Sequence, residues 1–419
     1  MSALDAWLAH QETVHVRSVD LGLERIATVA RTLGLGKPAP TVLSVAGTNG
    51  KGSTVAFLEQ LLLVAGRTVG TFTSPHLLRY NERIHVNGQE AGDAELVAAF
   101  ETIDRARGAI TLTFFEFNAL AAFLLMKDAR VDVAVLEVGL GGRLDAVNLI
   151  DADATIVCSI GLDHRDWLGD TLEKIGSEKA GILRRGACTV LATAEMPQSI
   201  YAAACESQAH LLIAGRDYFW AEDRECWTYR GTQRALASLP RPALEGTIQL
   251  RNAAAALAAL EALGLSARLG PEQISAALSA TRLPGRFERM VDKAGVEWIF
   301  DVAHNPPAAH GLAAYLKSLR ATRTIAVAGI LADKDALAIA SALSGAIDQW
   351  ILCTLEGARG LSASGLAALT GAVIHSPQLA ESVAEGCRIA RTEARAGERV
   401  VVFGSFHTVG PALQFVRLY

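Results

Sequence analysis

The sequence predicts an α/β protein with two parallel-sheet domains, a larger one over residues 1–285 and a smaller one over residues 286–419. Three observations predict it. Short runs rich in Val and Ile alternate with segments of helical period. Several of those runs hold four or more apolar residues without polar alternation, as strands covered on both faces do. The alternation then starts afresh after Leu283-Pro284-Gly285-Arg286, where four more strand–helix units follow.

Taken in order, the expected strands are 41–46, 68–73, 131–138 and 154–160 in the first domain and 296–302, 324–330, 349–353 and 400–403 in the second. Helical patterns lie between them, as at 54–65, 94–106, 171–183 and 252–263. Residues 218–246 are polar, with Trp220, Trp227, Pro240 and Pro242, and read as a small antiparallel excursion.

Length and composition agree with this organisation. At about 150 residues per domain, 419 residues make two or three domains. Hydrophobic residues at 51% and charged residues at 20% suffice for a large core and exclude a disordered chain. A net charge of −5 argues against nucleic acid or an anionic membrane as the main partner. It leaves room for a local basic pocket. No two of the six cysteines stand at C-x-x-C spacing, so neither a zinc cage nor a dithiol pair is indicated. They read as reduced cysteines of a cytosolic protein. The N-terminal residues show no basic and apolar signal pattern, and no apolar stretch reaches the ~20 residues of a membrane span. A soluble, cytoplasmic protein is expected.

The strongest local signal is Gly47-Thr48-Asn49-Gly50-Lys51-Gly52-Ser53-Thr54, between an expected strand and an expected helix. Glycines let the backbone N–H groups wrap a phosphate, and the helix start adds positive field. Lys51 can reach terminal phosphates, and Ser53 or Thr54 stands where a hydroxyl meets phosphate or Mg²⁺. The spacing departs from G-x-x-x-x-G-K-[ST], because Val45 occupies the first glycine position and Gly52 the hydroxyl position. A P-loop parallel-sheet ATPase domain followed by a smaller Rossmann-like α/β domain is the fold expected.

Ligands bind at the C-terminal edge of parallel sheets, and further polar residues gather at these strand ends. Ser74 follows the second strand, Glu137 ends the third, and Asp163-His164 follows the fourth. Ser74 and Glu137 are ordinary Mg²⁺ ligands, while His164 is a less usual one. Each also has a plain reading. Ser74 could cap a turn, Glu137 could pair with Arg143, and His164 could be a loop histidine. Lys179, in an expected helix, reads by its chemistry alone as a solvated lysine.

The residues from Gly47 to Ser53 resemble the ATP loop of the Mur ligase superfamily. Thr73-Ser74-Pro75-His76-Leu77, Leu136-Glu137-Val138-Gly139-Leu140-Gly141-Gly142-Arg143-Leu144-Asp145, Leu162-Asp163-His164, Ser177-Glu178-Lys179-Ala180-Gly181, Pro284-Gly285-Arg286-Phe287, Asp301-Val302-Ala303-His304-Asn305-Pro306 and Gly404-Ser405-Phe406-His407 are similar to its folate branch. The resemblance runs in order along nearly the whole chain. It implies an ATP-dependent amide ligase that joins L-glutamate to dihydropteroate and to folates through an acyl phosphate. Lys51, Lys179 and His164 would be catalytic. Gly47, Thr48, Asn49, Gly50, Lys51, Gly52 and Ser53, with Asn252, Arg286 and Asp301, would hold the nucleotide. Ser74, Glu137 and His164 would bind Mg²⁺, with Lys179 carbamylated. Asp20, Leu21, Thr113, Phe114, Phe115, Glu116 and Leu144 would line the pterin side of the substrate site, and His304 and Ser405 would meet glutamate. A monomer is implied. Val147 stands where the family often has Thr. Another Mur-type ligase, an enzyme with one of the two folate activities, and a nucleotide-binding scaffold are the open alternatives.

Overall fold

A computed structural model describes residues 2–223 and 225–418. Its contacts divide the chain into two units. The second unit begins at Leu283 and also includes Leu162–Arg165 and Leu244–Gly246, two short segments far from it in sequence. A single boundary at residue 285 does not describe that arrangement, because packing and not chain order assigns those segments.

The first unit holds an eight-stranded sheet. Its strands are β1 (Thr41–Ala46), β2 (Val69–Phe72), β3 (Ile84–Val86), β4 (Gln89–Glu90), β5 (Val133–Glu137), β6 (Ala154–Val157), β7 (Cys188–Leu191) and β8 (His210–Ile213), in the order β4-β3-β2-β5-β1-β6-β7-β8. β2, β5, β1, β6, β7 and β8 run parallel, and β3 and β4 are antiparallel additions at one edge. β2, β5 and β6 are buried at every position, and β1 at all but its first. That burial explains their unbroken apolar sequence. The polar excursion forms a three-stranded antiparallel sheet of β9 (Phe219–Glu222), β10 (Cys226–Arg230) and β11 (Ala235–Pro240).

The second unit has a six-stranded sheet of β12 (Glu288–Val291), β13 (Glu297–Asp301), β14 (Thr324–Ala328), β15 (Gln349–Cys353), β16 (Gln378–Ala380) and β17 (Arg399–Phe403), in the order β12-β13-β17-β14-β15-β16. All but β12 are parallel. The strands absent from the sequence expectation are β3, β4, β7, β8, β12 and β16. They have two to four residues each, too short for a periodic signal.

Topology places the site chemistry. In the first sheet the C-terminal ends of β2, β5, β1 and β6 are consecutive neighbours, and they lead into Ser74, Glu137, the glycine loop and residues 158–161. In the second sheet β13, β17 and β14 are consecutive, and they lead into Asp301–Asn305, Ser405 and Lys334.

Candidate active site

The glycine loop is fixed to the segment after β6. Gly47 has φ 151°, and a Cβ there would stand 2.9 Å from the Cys158 Cβ, so only hydrogen fits. Thr48 N donates to Ser159 O at 2.8 Å. The Thr48 hydroxyl donates to Gly161 O and accepts from Gly161 N. Asn49 N donates to Ser159 Oγ at 3.0 Å, and that hydroxyl donates back to Asn49 O. These bonds end β6 at Val157, earlier than its apolar sequence suggests. Gly50, at φ 97°, then turns the chain into the helix Lys51–Val64. Thr54 is fully buried and its hydroxyl donates to Gly50 O. Of the two hydroxyl candidates, this removes Thr54 from ligand contact and leaves Ser53.

Two ammonium groups converge on one carbonyl. Lys51 Nζ donates to Gly47 O at 3.0 Å and to Thr48 O at 3.4 Å. Lys179 Nζ donates to the same Gly47 O at 3.0 Å. Lys179 sits on the helix Leu172–Ala180 and is only 5% exposed, so the solvated-lysine reading is corrected. Its helix turns it inward, and a buried cation needs an acceptor. One strand over, Glu137 is buried and its Oε2 accepts from Ser74 N at 3.1 Å. The pairing of Glu137 with Arg143 is also corrected, because Arg143 reaches outward to Glu178 at 2.7 Å. Arg83, buried beside Tyr80 and Phe114, acts on Glu137 through its charge and donates to His76 Nδ1 at 2.8 Å. Asp145 is buried and accepts from Leu140 N and Val147 N. Burial pushes its carboxyl up to about 6, against the pull of those N–H groups and of Lys51. Leu144, beside it, is part-buried.

The two segments assigned to the pterin side meet through a residue the sequence analysis did not single out. Arg25 lies 2.5 Å from Asp20 and 3.3 Å from Glu116. Thr113 caps the helix Phe114–Asp128, and Glu116 returns Oε2 to Thr113 N at 2.7 Å. This is a capping box, so both residues serve the helix start. Glu116 Oε1 is buried and accepts no hydrogen bond among the described residues. Phe114 packs on Tyr80 and Phe115 on Phe72. Leu21 is part-buried. Asn252 is fully buried in the helix Ile248–Ala262, with Oδ1 2.8 Å from where a Gly50 Cβ would stand. It supports the loop from behind.

In the second unit Asp163 collects several partners, among them His164 N, which donates to Oδ1 at 2.8 Å. Lys334 Nζ is 2.6 Å from Oδ1, and Asn305 Nδ2 and His304 Nε2 are 3.0 and 3.3 Å from Oδ2. Burial opposes its ionisation, but the His304 hydrogen bond and the charges of His304, His164 and Lys334 hold the carboxyl far below the usual carboxylate range. His164 has φ 50° and is part-exposed. Packing puts it in the second unit, while Ser74 and Glu137 belong to the first. Asp301 accepts from Phe287 N and Ala303 N, and Arg286 lies over the Phe406 ring. Ser405 is buried, with its hydroxyl bonded to Thr408 at 2.7 Å. The same hydroxyl accepts from Thr408 N at the helix start. Lys334 was legible only as a charge in Asp333-Lys334-Asp335.

Among the described residues no helix is long and apolar enough to cross a membrane. Sheet order, glycine loop and strand-end polar groups define a Mur-type ligase. Residues 45–260 match the Mur ligase middle domain and residues 285–406 the Mur ligase glutamate ligase domain. The dihydrofolate synthase/folylpolyglutamate synthase of Escherichia coli (strain K12) is 43% identical over 416 residues, covering 99% of this chain and 96% of the relative. A structure of the Escherichia coli enzyme in complex with DHPP and ADP superposes with TM-score 0.94 at 42% identity, covering 100% of this chain and 98% of that one. A bifunctional folylpolyglutamate synthase/dihydrofolate synthase with Mn, AMPPNP and L-glutamate bound superposes with TM-score 0.92 at 43% identity and the same coverage. The chain belongs to the dihydrofolate synthase/folylpolyglutamate synthase family.

Proposed function

We propose that the protein uses ATP to join L-glutamate to dihydropteroate and, in a second activity, to folates. The observation that carries this reading is the meeting of Lys51 and Lys179 on the Gly47 carbonyl, one strand from Glu137. Lys51, held at the start of the loop, brings positive charge to where a phosphate chain would lie.

A carboxylate resists attack by an amine because it is anionic and oxide is a poor leaving group. Transfer of the γ-phosphoryl group makes an acyl phosphate, and the amino group of glutamate then displaces phosphate to give the amide. Lys51 spreads the charge on the transferring group, and the loop N–H groups orient the remaining phosphates. Ser74 and Glu137 offer a hydroxyl and a buried carboxylate, an oxygen donor set that fits Mg²⁺. These two residues would hold the ion. When bound, the ion supplies charge neutralisation to the phosphates. Burial of Lys179 supports its carbamylation, which would exchange a cation for an anionic oxygen group beside the loop. Arg25, Asp20 and Glu116 orient the pterin end, and His304 meets glutamate. The reaction takes place in the cytoplasm and the enzyme acts as a monomer.

The test is glutamate-dependent ADP release with Mg²⁺, using dihydropteroate and tetrahydrofolate as separate acceptors. Release with both supports the reading. Release with neither overturns it, and full activity in Lys51→Ala would overturn the role of the loop.

A further inference from the structure

Arg251 lies in the first turn of the helix Ile248–Ala262, immediately before Asn252. The residue is part-buried, and its Nε and Nη2 are shut off from solvent without a hydrogen-bond partner among the described residues. The adjacent Asn252 Oδ1 is also buried and unpartnered, against Gly50 of the glycine loop. Arg251 acts through its charge on the Cys158 thiol and the Tyr218 hydroxyl. Lys51 acts on the same thiol, and Cys158 lies against Gly47. Burial raises the pKa of the Cys158 thiol, and the charges of Arg251 and Lys51 oppose that rise.

Two of the three guanidinium nitrogens are left without an acceptor among the described residues. Withdrawing charged donors from water without an acceptor is unfavourable, and an apolar side chain of similar length would fill the space without that penalty. The family resemblance assigns Asn252 to the nucleotide and gives Arg251 no role. We propose that Arg251 is a further nucleotide-binding residue, whose open donors are completed by a phosphate oxygen of bound ADP or ATP. This rests on the nucleotide site proposed above.

The experiment compares wild type, Arg251→Met and Arg251→Lys by calorimetric titration with ADP and Mg²⁺ and by thermal melts without nucleotide, with Lys51→Ala as control. Loss of a charge-assisted contact should weaken ADP binding by about tenfold or more in Arg251→Met. The nucleotide-free melting temperature should stay level or rise, because an unpaired buried charge is gone. Arg251→Lys, which keeps the charge, should retain more affinity than Arg251→Met. Unchanged ADP affinity in both variants would overturn the proposal, as would a lower nucleotide-free melting temperature with unchanged affinity, the mark of a structural arginine. A wild type that binds no ADP would instead overturn the nucleotide site itself, a distinguishable result.

Discussion

Gly50→Ala tests whether loop and supporting helix form one mechanical unit. Gly50 sits at φ 97°, in the left-handed region, where an L side chain adds about 1–2 kcal/mol. The new Cβ would also stand 2.8 Å from Asn252 Oδ1 and 3.2 Å from Nδ2. Asn252 is fully buried and has little room to retreat, so overpacking adds about 1–3 kcal/mol. The expected loss is about 2–5 kcal/mol in the first unit. Urea unfolding followed by intrinsic fluorescence, with the buried Trp227 reporting on this unit, measures it. In an Asn252→Ala background the steric part disappears and about 1–2 kcal/mol should remain. The difference is the coupling energy of the double-mutant cycle. An unchanged midpoint in Gly50→Ala, or the same loss in both backgrounds, would refute the reasoning.

Three further outcomes are expected. Native mass analysis at neutral pH of protein kept in bicarbonate should show one added CO₂ that Lys179→Met lacks, and a bare lysine under those conditions would rule out carbamylation. Asp163→Ala removes the nearer carboxylate of the Lys334 ammonium, 5% exposed, leaving only Asp333 at 3.6 Å, and should destabilise the second unit by about 2–4 kcal/mol. Adding Lys334→Met should restore much of that, and additive losses would disprove the pairing. His85 lies 3.2 Å from the buried Glu59. Burial disfavours its charged form, but the Glu59 hydrogen bond and charge, with Glu90 and Glu82, outweigh burial and raise its pKa. A raised histidine pKa stabilises fully below the unfolded value of about 6.5 and loses that effect as pH rises through the folded value. First-unit stability should therefore fall across that window in wild type, and a His85→Gln variant with the same slope would refute it.

Much of the candidate site was legible because its signals are local. The glycine loop is contiguous, and Ser74 and Glu137 stand at the ends of strands whose unbroken apolar runs announce a doubly covered sheet. The second domain was readable from the same repeated pattern. Short strands such as β4 and β16 were not, because two or three residues carry no period.

The sequence by itself determined the fold class, the glycine loop between strand and helix and which strand ends carry polar groups, since each depends on residues within a few positions of one another. Only the tertiary structure decided that Lys179 is buried on the Gly47 carbonyl 132 positions away, that Arg25 joins Asp20 to Glu116, and that Asp163 packs with Lys334 and the second unit. Helical period shows which residues share a face. The partner that covers that face, and hence whether a charge there meets water or a carbonyl, is set by strand order and crossover connections that bring distant segments together.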